Sequence, residues 1–210
     1  MTFSSLLLPA LFGMGTGLAL IVAIGAQNAY VLKVGLQGVN RVILPVIAVC
    51  AASDAVLIIA GVAGVGALIA AAPQALVVVR IVGAAFLLVY AGFAAKRAIR
   101  PSGALQAEGG AVQPSRKTAV VTVLALTWLN PHTYLDTIVF LGSVANQQPG
   151  DLRWWWAGGA IAGSFLWFAV LGLGSRLLKP FFAKPSSWRV LDGLIAVVMT
   201  ALGLRLLLGA

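Results

Sequence analysis

The sequence predicts an all-α integral membrane protein: six transmembrane helices forming two inverted repeats of three, with helices 1 and 4 interrupted. Three observations point there. Of 210 residues, 61% are hydrophobic and 9% charged, a composition foreign to soluble domains. Apolar runs long enough to cross a bilayer recur along the chain. Lysines and arginines gather in alternate loops, as the positive-inside rule requires. The net charge of +9 is therefore read as a topological bias, and no nucleic-acid partner is expected.

Helix 1 is expected from Leu6 to Leu32. It lacks a basic leading region and is read as a first span rather than a signal peptide. Gly13 and Gly17 have the spacing that lets helices approach closely, and Gly25-Ala26-Gln27-Asn28 looks like a break. A loop with Lys33 and Arg41 leads to helix 2, Val42 to Ala71, with Ser53-Asp54 near its middle. Helix 3 runs from Ala75 to Ala95, with Arg80 near its start. The loop from Lys96 to Lys117 is rich in Gly, Pro, Ser and Gln and reads as flexible linker.

Helix 4, Thr118 to Ala145, holds the central feature: Thr127-Trp128-Leu129-Asn130-Pro131-His132-Thr133-Tyr134-Leu135-Asp136-Thr137. A proline at bilayer depth removes a backbone donor, so the helix should bend or break there. Helix 5 begins at an interfacial belt, Trp154-Trp155-Trp156, and reaches Leu178; helix 6 runs from Trp188 to Leu208. Of the fourteen Lys and Arg, all but Arg80, Arg153 and Arg205 lie in loops 1–2, 3–4 and 5–6. Both termini are then extracytoplasmic; a re-entrant helix 1 would instead leave five spans and an internal N-terminus.

The halves align. Arg80-Ile81-Val82-Gly83 matches Arg189-Val190-Leu191-Asp192, Lys96 falls opposite Arg205, Asn28 opposite Asn130, and Ser53-Asp54 opposite Gly163-Ser164. Three helices per half force opposite orientations, an arrangement that places sites near the midplane at interrupted helices. The expected organisation is one transmembrane domain over 1–210: repeat one 1–95, a cytoplasmic linker 96–117, and repeat two 118–210.

Polar groups at bilayer depth are costly and default to functional sites. Asp54 is read as holding a cationic substrate or a proton, or as a helix tie. Asp136 shares a helix face with His132 and Thr133; it is an outer substrate or proton site, or the partner of Arg80 in a structural ion pair. His132 is a proton relay or a hydrogen-bonded tie. Gln27, Asn28 and Asn130 offer amides to a substrate's α-carboxylate or α-amine, or satisfy freed backbone groups. Tyr30, Tyr134 and Trp167 are candidates for cation–π contact, or packing aromatics. Asp192 is expected in a surface pair near Arg189.

His132 and Asp136 alone are too few ligands for a metal, and no nucleophile accompanies them to make an enzyme. Cys50, the single cysteine, excludes an intramolecular disulfide. No Walker-type motif is present, so neither ATP use nor a cofactor is expected.

The blocks Gly25-Ala26-Gln27-Asn28-Ala29-Tyr30-Val31-Leu32, Ser53-Asp54, Thr127 to Thr137 and Ala196-Val197-Val198-Met199-Thr200-Ala201-Leu202 resemble the LysE/ArgO family of bacterial lysine and arginine exporters, in order and over nearly the whole chain. The chain departs at Ala26, where family members often have proline. The resemblance implies export of basic amino acids across the bacterial inner membrane. Export of other amino acids or of a small inorganic cation is the alternative. Protons as coupling ion, membrane lipid as surroundings and a homodimer are the expected partners.

Overall fold

The computed structural model describes residues 3–22, 25–64, 73–99, 114–178, 180–181 and 184–208. Among them are helices and turns and no strand. The helices are α1 (Phe3–Ile21), α2 (Ala26–Gln37), α3 (Asn40–Val62), α4 (Pro73–Ile99) and α5 (Arg116–Trp128). Next come α6 (Pro131–Thr133), a π-helix (Tyr134–Leu141) and α7 (Gly142–Ala145). The chain continues through α8 (Leu152–Gly174), a 3₁₀ turn (Ser175–Leu178) and α9 (Pro185–Leu208).

Four helices are long and apolar enough to cross a membrane, or five spans if the bent pair α1–α2 counts as one. This is an all-helical protein with several membrane spans. Its outside is apolar, with Leu8, Val78, Phe93, Val121, Leu166 and Val197 all exposed, as a lipid-facing surface must be.

Contacts fix the two ends of the bundle. At one end Arg189 Nε donates to the Ala98 carbonyl at 3.0 Å and Arg176 donates to Asn40 Oδ1. Arg97, Arg116 and Lys117 lie at this basic end by their places on α4 and α5. At the other end Asn146 Nδ2 donates to the Gly61 carbonyl at 3.4 Å. Gly13 meets Trp156 and Gly17 meets Ala160, so α1 and α8 run in the same direction.

α1 lies along α8, as α3 lies along α5 and the π-helix; α4 pairs with α9, and α3 and α8 cross at the centre. Glycines make these approaches possible. A Cβ on Gly159 would stand 1.8 Å from the Ala10 carbonyl oxygen, and one on Gly13 would stand 2.0 Å from that of Trp156. Gly61 and Gly142 face each other at the equivalent crossing, where a Cβ on either would come within 2.6 Å of backbone. The Gly13/Gly17 and Gly159/Gly163 pairs thus serve contacts within one chain. Without a hydrophobic force between helices in lipid, close approach of this kind holds a bundle together.

Three expectations need correction. Lys33 is not in a loop: α2 continues to Gln37, and Gly38 closes it in the left-handed region with φ 72°. Asp192 is not at the surface beside Arg189. It is buried, its Oδ1 ion-paired with Lys33 and 3.2 Å from Arg97 Nη2. Sequence spacing could not pair residues 33 and 192, because α2 meets α9 only through the fold. Lys96 and Arg97 are helical, in the last turn of α4, and Arg116 and Lys117 open α5; the rest of the expected linker, 100–113, lies outside the described residues. So does the side chain of Arg80, on α4.

Gly159→Ala should lower the detergent unfolding midpoint by the equivalent of about 1–3 kcal/mol, the usual cost of overpacking. Gly158→Ala, with nothing within 4 Å of its would-be Cβ, should leave it within roughly 0.5 kcal/mol. Equal midpoints for the two variants would contradict this packing.

Candidate functional site

The site begins with two places where helices stop inside the bundle. α5 ends at Trp128, and Asn130 caps the next helix in extended backbone (φ −99°, ψ 108°). Its Oδ1 accepts from the His132 backbone N–H at 3.2 Å. Pro131 takes the first helical position, where a missing N–H costs nothing. The interruption leaves carbonyls without helical donors, and the Tyr134 hydroxyl supplies one, donating to the Trp128 carbonyl at 2.6 Å.

The other break lies between α1 and α2, which are bent by 86°. It is handled the same way: Asn28 Nδ2 donates to the Ile21 carbonyl at 2.6 Å. Asn28 Oδ1 in turn accepts from Trp167 Nε1 at 3.2 Å. Each break is thus closed by a side chain from the helix that follows it. The alternative reading of Asn28, satisfying freed backbone, is realised.

Past Pro131 the backbone winds as a π-helix over Tyr134–Leu141. Such turns are rare and concentrate at functional sites. Together with α6 this segment brings His132, Thr133, Asp136, Thr137 and Leu141 to one cavity. The cavity measures about 420 Å³, within the size of small-molecule sites.

Gln27, Asn28, Asp54, Asn130, His132 and Asp136 all line this cavity, so the structure gathers six expected site residues from four helical segments. Tyr134 does not line it; its hydroxyl is engaged at the break. Asp54 is 7% exposed, and Ser164 Oγ donates to its Oδ2 at 2.7 Å. Two buried side-chain nitrogens in the lining, Gln27 Nε2 and His132 Nε2, have no hydrogen-bond partner among the described residues. Unpartnered buried polar atoms are costly, and at a cavity wall they are groups a bound molecule can satisfy.

The sequence reading missed two contributors. Arg205 lines the cavity and acts electrostatically on Asp136. The expected pairing of Asp136 with Arg80 involves a side chain outside the described residues. Ser164 donates to Asp54; the alignment of Ser53-Asp54 with Gly163-Ser164 in the sequence was the signal for it.

The lining also gives direction. Ile58, Leu141, Leu202 and Arg205 lie on the side of the breaks away from the basic end. On the basic side Val31, Ile43, Val46, Cys50, Ala94 and Val123 are all 0% exposed and fill the interior. The cavity therefore lies in the half of the bundle opposite the basic end.

A charged and amide-lined cavity at interrupted helices, inside a bundle of apolar spans, defines a membrane transporter. The chain belongs to the family described as LysE type translocator, which matches residues 18–210; its members are transporters and not enzymes. The chain is 50% identical over 184 residues to a putative amino-acid transporter of Mycobacterium tuberculosis, covering 87% of this chain and 88% of that one. To a lysine exporter of Corynebacterium diphtheriae it is 36% identical, over 95% of this chain and 98% of that one. To an arginine exporter protein of Serratia proteamaculans it is 40% identical, over 92% of this chain and 93% of that one. No solved structure matches.

Tyr134→Phe leaves the Trp128 carbonyl unpaired while preserving the ring. The unfolding midpoint should fall by the equivalent of about 1–3 kcal/mol. An unchanged midpoint would mean that this carbonyl is satisfied in another way.

Proposed function

We propose that the protein is a secondary exporter of basic L-amino acids, lysine and arginine, across the bacterial inner membrane. The observation that carries this is the mixed charge of one cavity. Asp54 and Asp136 suit a cationic side chain, while Gln27 Nε2, His132 Nε2 and Arg205 suit an α-carboxylate. An inorganic cation needs only the carboxylates. The relatives named for lysine and arginine export support the same substrate class.

The architecture behind this is six spans in two inverted repeats, with α1–α2 and α5 to α7 as the interrupted first helices. The exchange of partners between halves supports it: α1 on α8 corresponds to α3 on α5 and the π-helix. So does the Asp54–Ser164 hydrogen bond between aligned positions. The basic end faces the cytoplasm. Phe3 lies at the end of α1 away from it, and Leu208 at the corresponding end of α9, so both termini are extracytoplasmic. The cavity then opens outward, one state of an alternating-access cycle in which the halves rock about a fixed site.

Energetics select the coupling. Moving a net positive charge outward opposes an inside-negative potential by about 2.3 kcal/mol per 100 mV. Exchange of one cationic amino acid for one proton removes that electrical term. A carboxylate exposed to each side in turn, Asp54 or Asp136 with His132 beside it, carries the proton.

The test is efflux of labelled arginine and lysine from proteoliposomes, with and without an imposed pH gradient. Wild type should show gradient-driven efflux, and Asp54→Asn, folded by its unfolding midpoint, should lose it. Absence of efflux of either amino acid under any gradient, from folded protein, would overturn the reading.

A further inference from the structure

Between the cavity and the basic end lies a second cluster of charges, built from Lys33 of α2, Arg97 of α4 and Asp192 of α9. Lys33 Nζ donates to Asp192 Oδ1, and Arg97 Nε reaches the same oxygen at 3.2 Å. The Lys33 and Asp192 side chains are 10% and 11% exposed. The Arg97 guanidinium also lies 5.8 Å from the centre of the Tyr90 ring, and Tyr90 meets Tyr30 edge-on.

We propose that this cluster is the inner gate of the transporter: the Lys33–Asp192 pair holds α2 against α4 and α9, and its separation opens the cavity to the cytoplasm. The inference rests on the alternating-access reading. Four features support it. α2 has twelve residues, bounded by extended Gly25 before Ala26 and left-handed Gly38 after Gln37, two glycines at which it can turn. α2 carries Gln27 and Asn28 of the cavity at one end and Lys33 about one and a half turns further on, so movement at the gate reaches the site. A buried ion pair adds less stability than apolar packing of the same volume, whereas separated charges are well solvated, which suits a contact that must open to water. Two cations share one carboxylate, so Asp192 keeps Arg97 when Lys33 leaves.

The chain carries its own reporter. Cys50, the sole cysteine, is 0% exposed. It sits beside Gln27 on α3, one turn from Asp54 toward the basic end, in the packed region the gate would seal. In native membranes wild-type Cys50 should react slowly with N-ethylmaleimide. Asp192→Asn should speed alkylation at least about tenfold, since breaking a buried pair shifts an equilibrium by more than that factor. The exchange Lys33→Asp with Asp192→Lys should restore protection to within about threefold of wild type, as expected for a pair whose coupling is recovered. If Asp192→Asn does not fold, Lys33→Gln, which leaves Arg97 on Asp192, is read the same way.

Unchanged alkylation in a folded variant would overturn the gate, as would faster alkylation that the charge exchange fails to reverse. The readout is thiol exposure and not export, so the two readings fail separately. Protected Cys50 in a variant that still exports arginine rejects only the gate. Faster, reversible alkylation in a protein that exports neither amino acid rejects only the substrate.

Discussion

The rest of the structure depends on how two broken helices satisfy their backbone inside an apolar bundle. A carbonyl without a donor at that depth is costly, and no bulk water is at hand to pair it. The chain meets this at both breaks with a side chain from the following helix: Asn28 on the Ile21 carbonyl and Tyr134 on that of Trp128. Asn130 adds the helix cap that lets the backbone restart at Pro131. The donors at each break are local in sequence, so the break is closed by its own neighbours.

The breaks constrain the packing around them. Interrupted segments are too short to hold each other by length, so the uninterrupted helices must. α8 does this for α1, and α3 for the helix after Pro131, through glycine contacts in which backbones meet directly. The aromatic N–H groups then link breaks to these supports: Trp167 to Asn28, and Trp128 to Ser53 at 3.1 Å. α2 is bounded by extended Gly25 on one side and left-handed Gly38 on the other.

Charge is distributed along the same axis. Asp54 is hydrogen-bonded by Ser164, Asp136 has His132 and Arg205 nearby, and Asp192 is held between Lys33 and Arg97. Asp192, toward the basic end, is the carboxylate held in ion pairs among the described residues.

Much of this was legible in the sequence. Asn130-Pro131-His132 located the break, since a capping asparagine followed by proline suits the start of a new helix and not the interior of an old one. Asp54, Asp136, Gln27 and Asn28 were legible as residues that would turn inward, because polar groups are too expensive at bilayer depth to face lipid, and they line one cavity. The alternate loops holding most of the lysines and arginines separated the ends. What only the tertiary structure decided were the partnerships across long sequence distance. Lys33 with Asp192, Arg205 near Asp136, and Ser164 on Asp54 depend on how helices are set beside one another. A lysine just past an apolar run reads as loop until a neighbouring helix supplies its carboxylate. Local chemistry determines where a helix must break and which residues cannot face lipid; the packing of distant helices determines which charges meet.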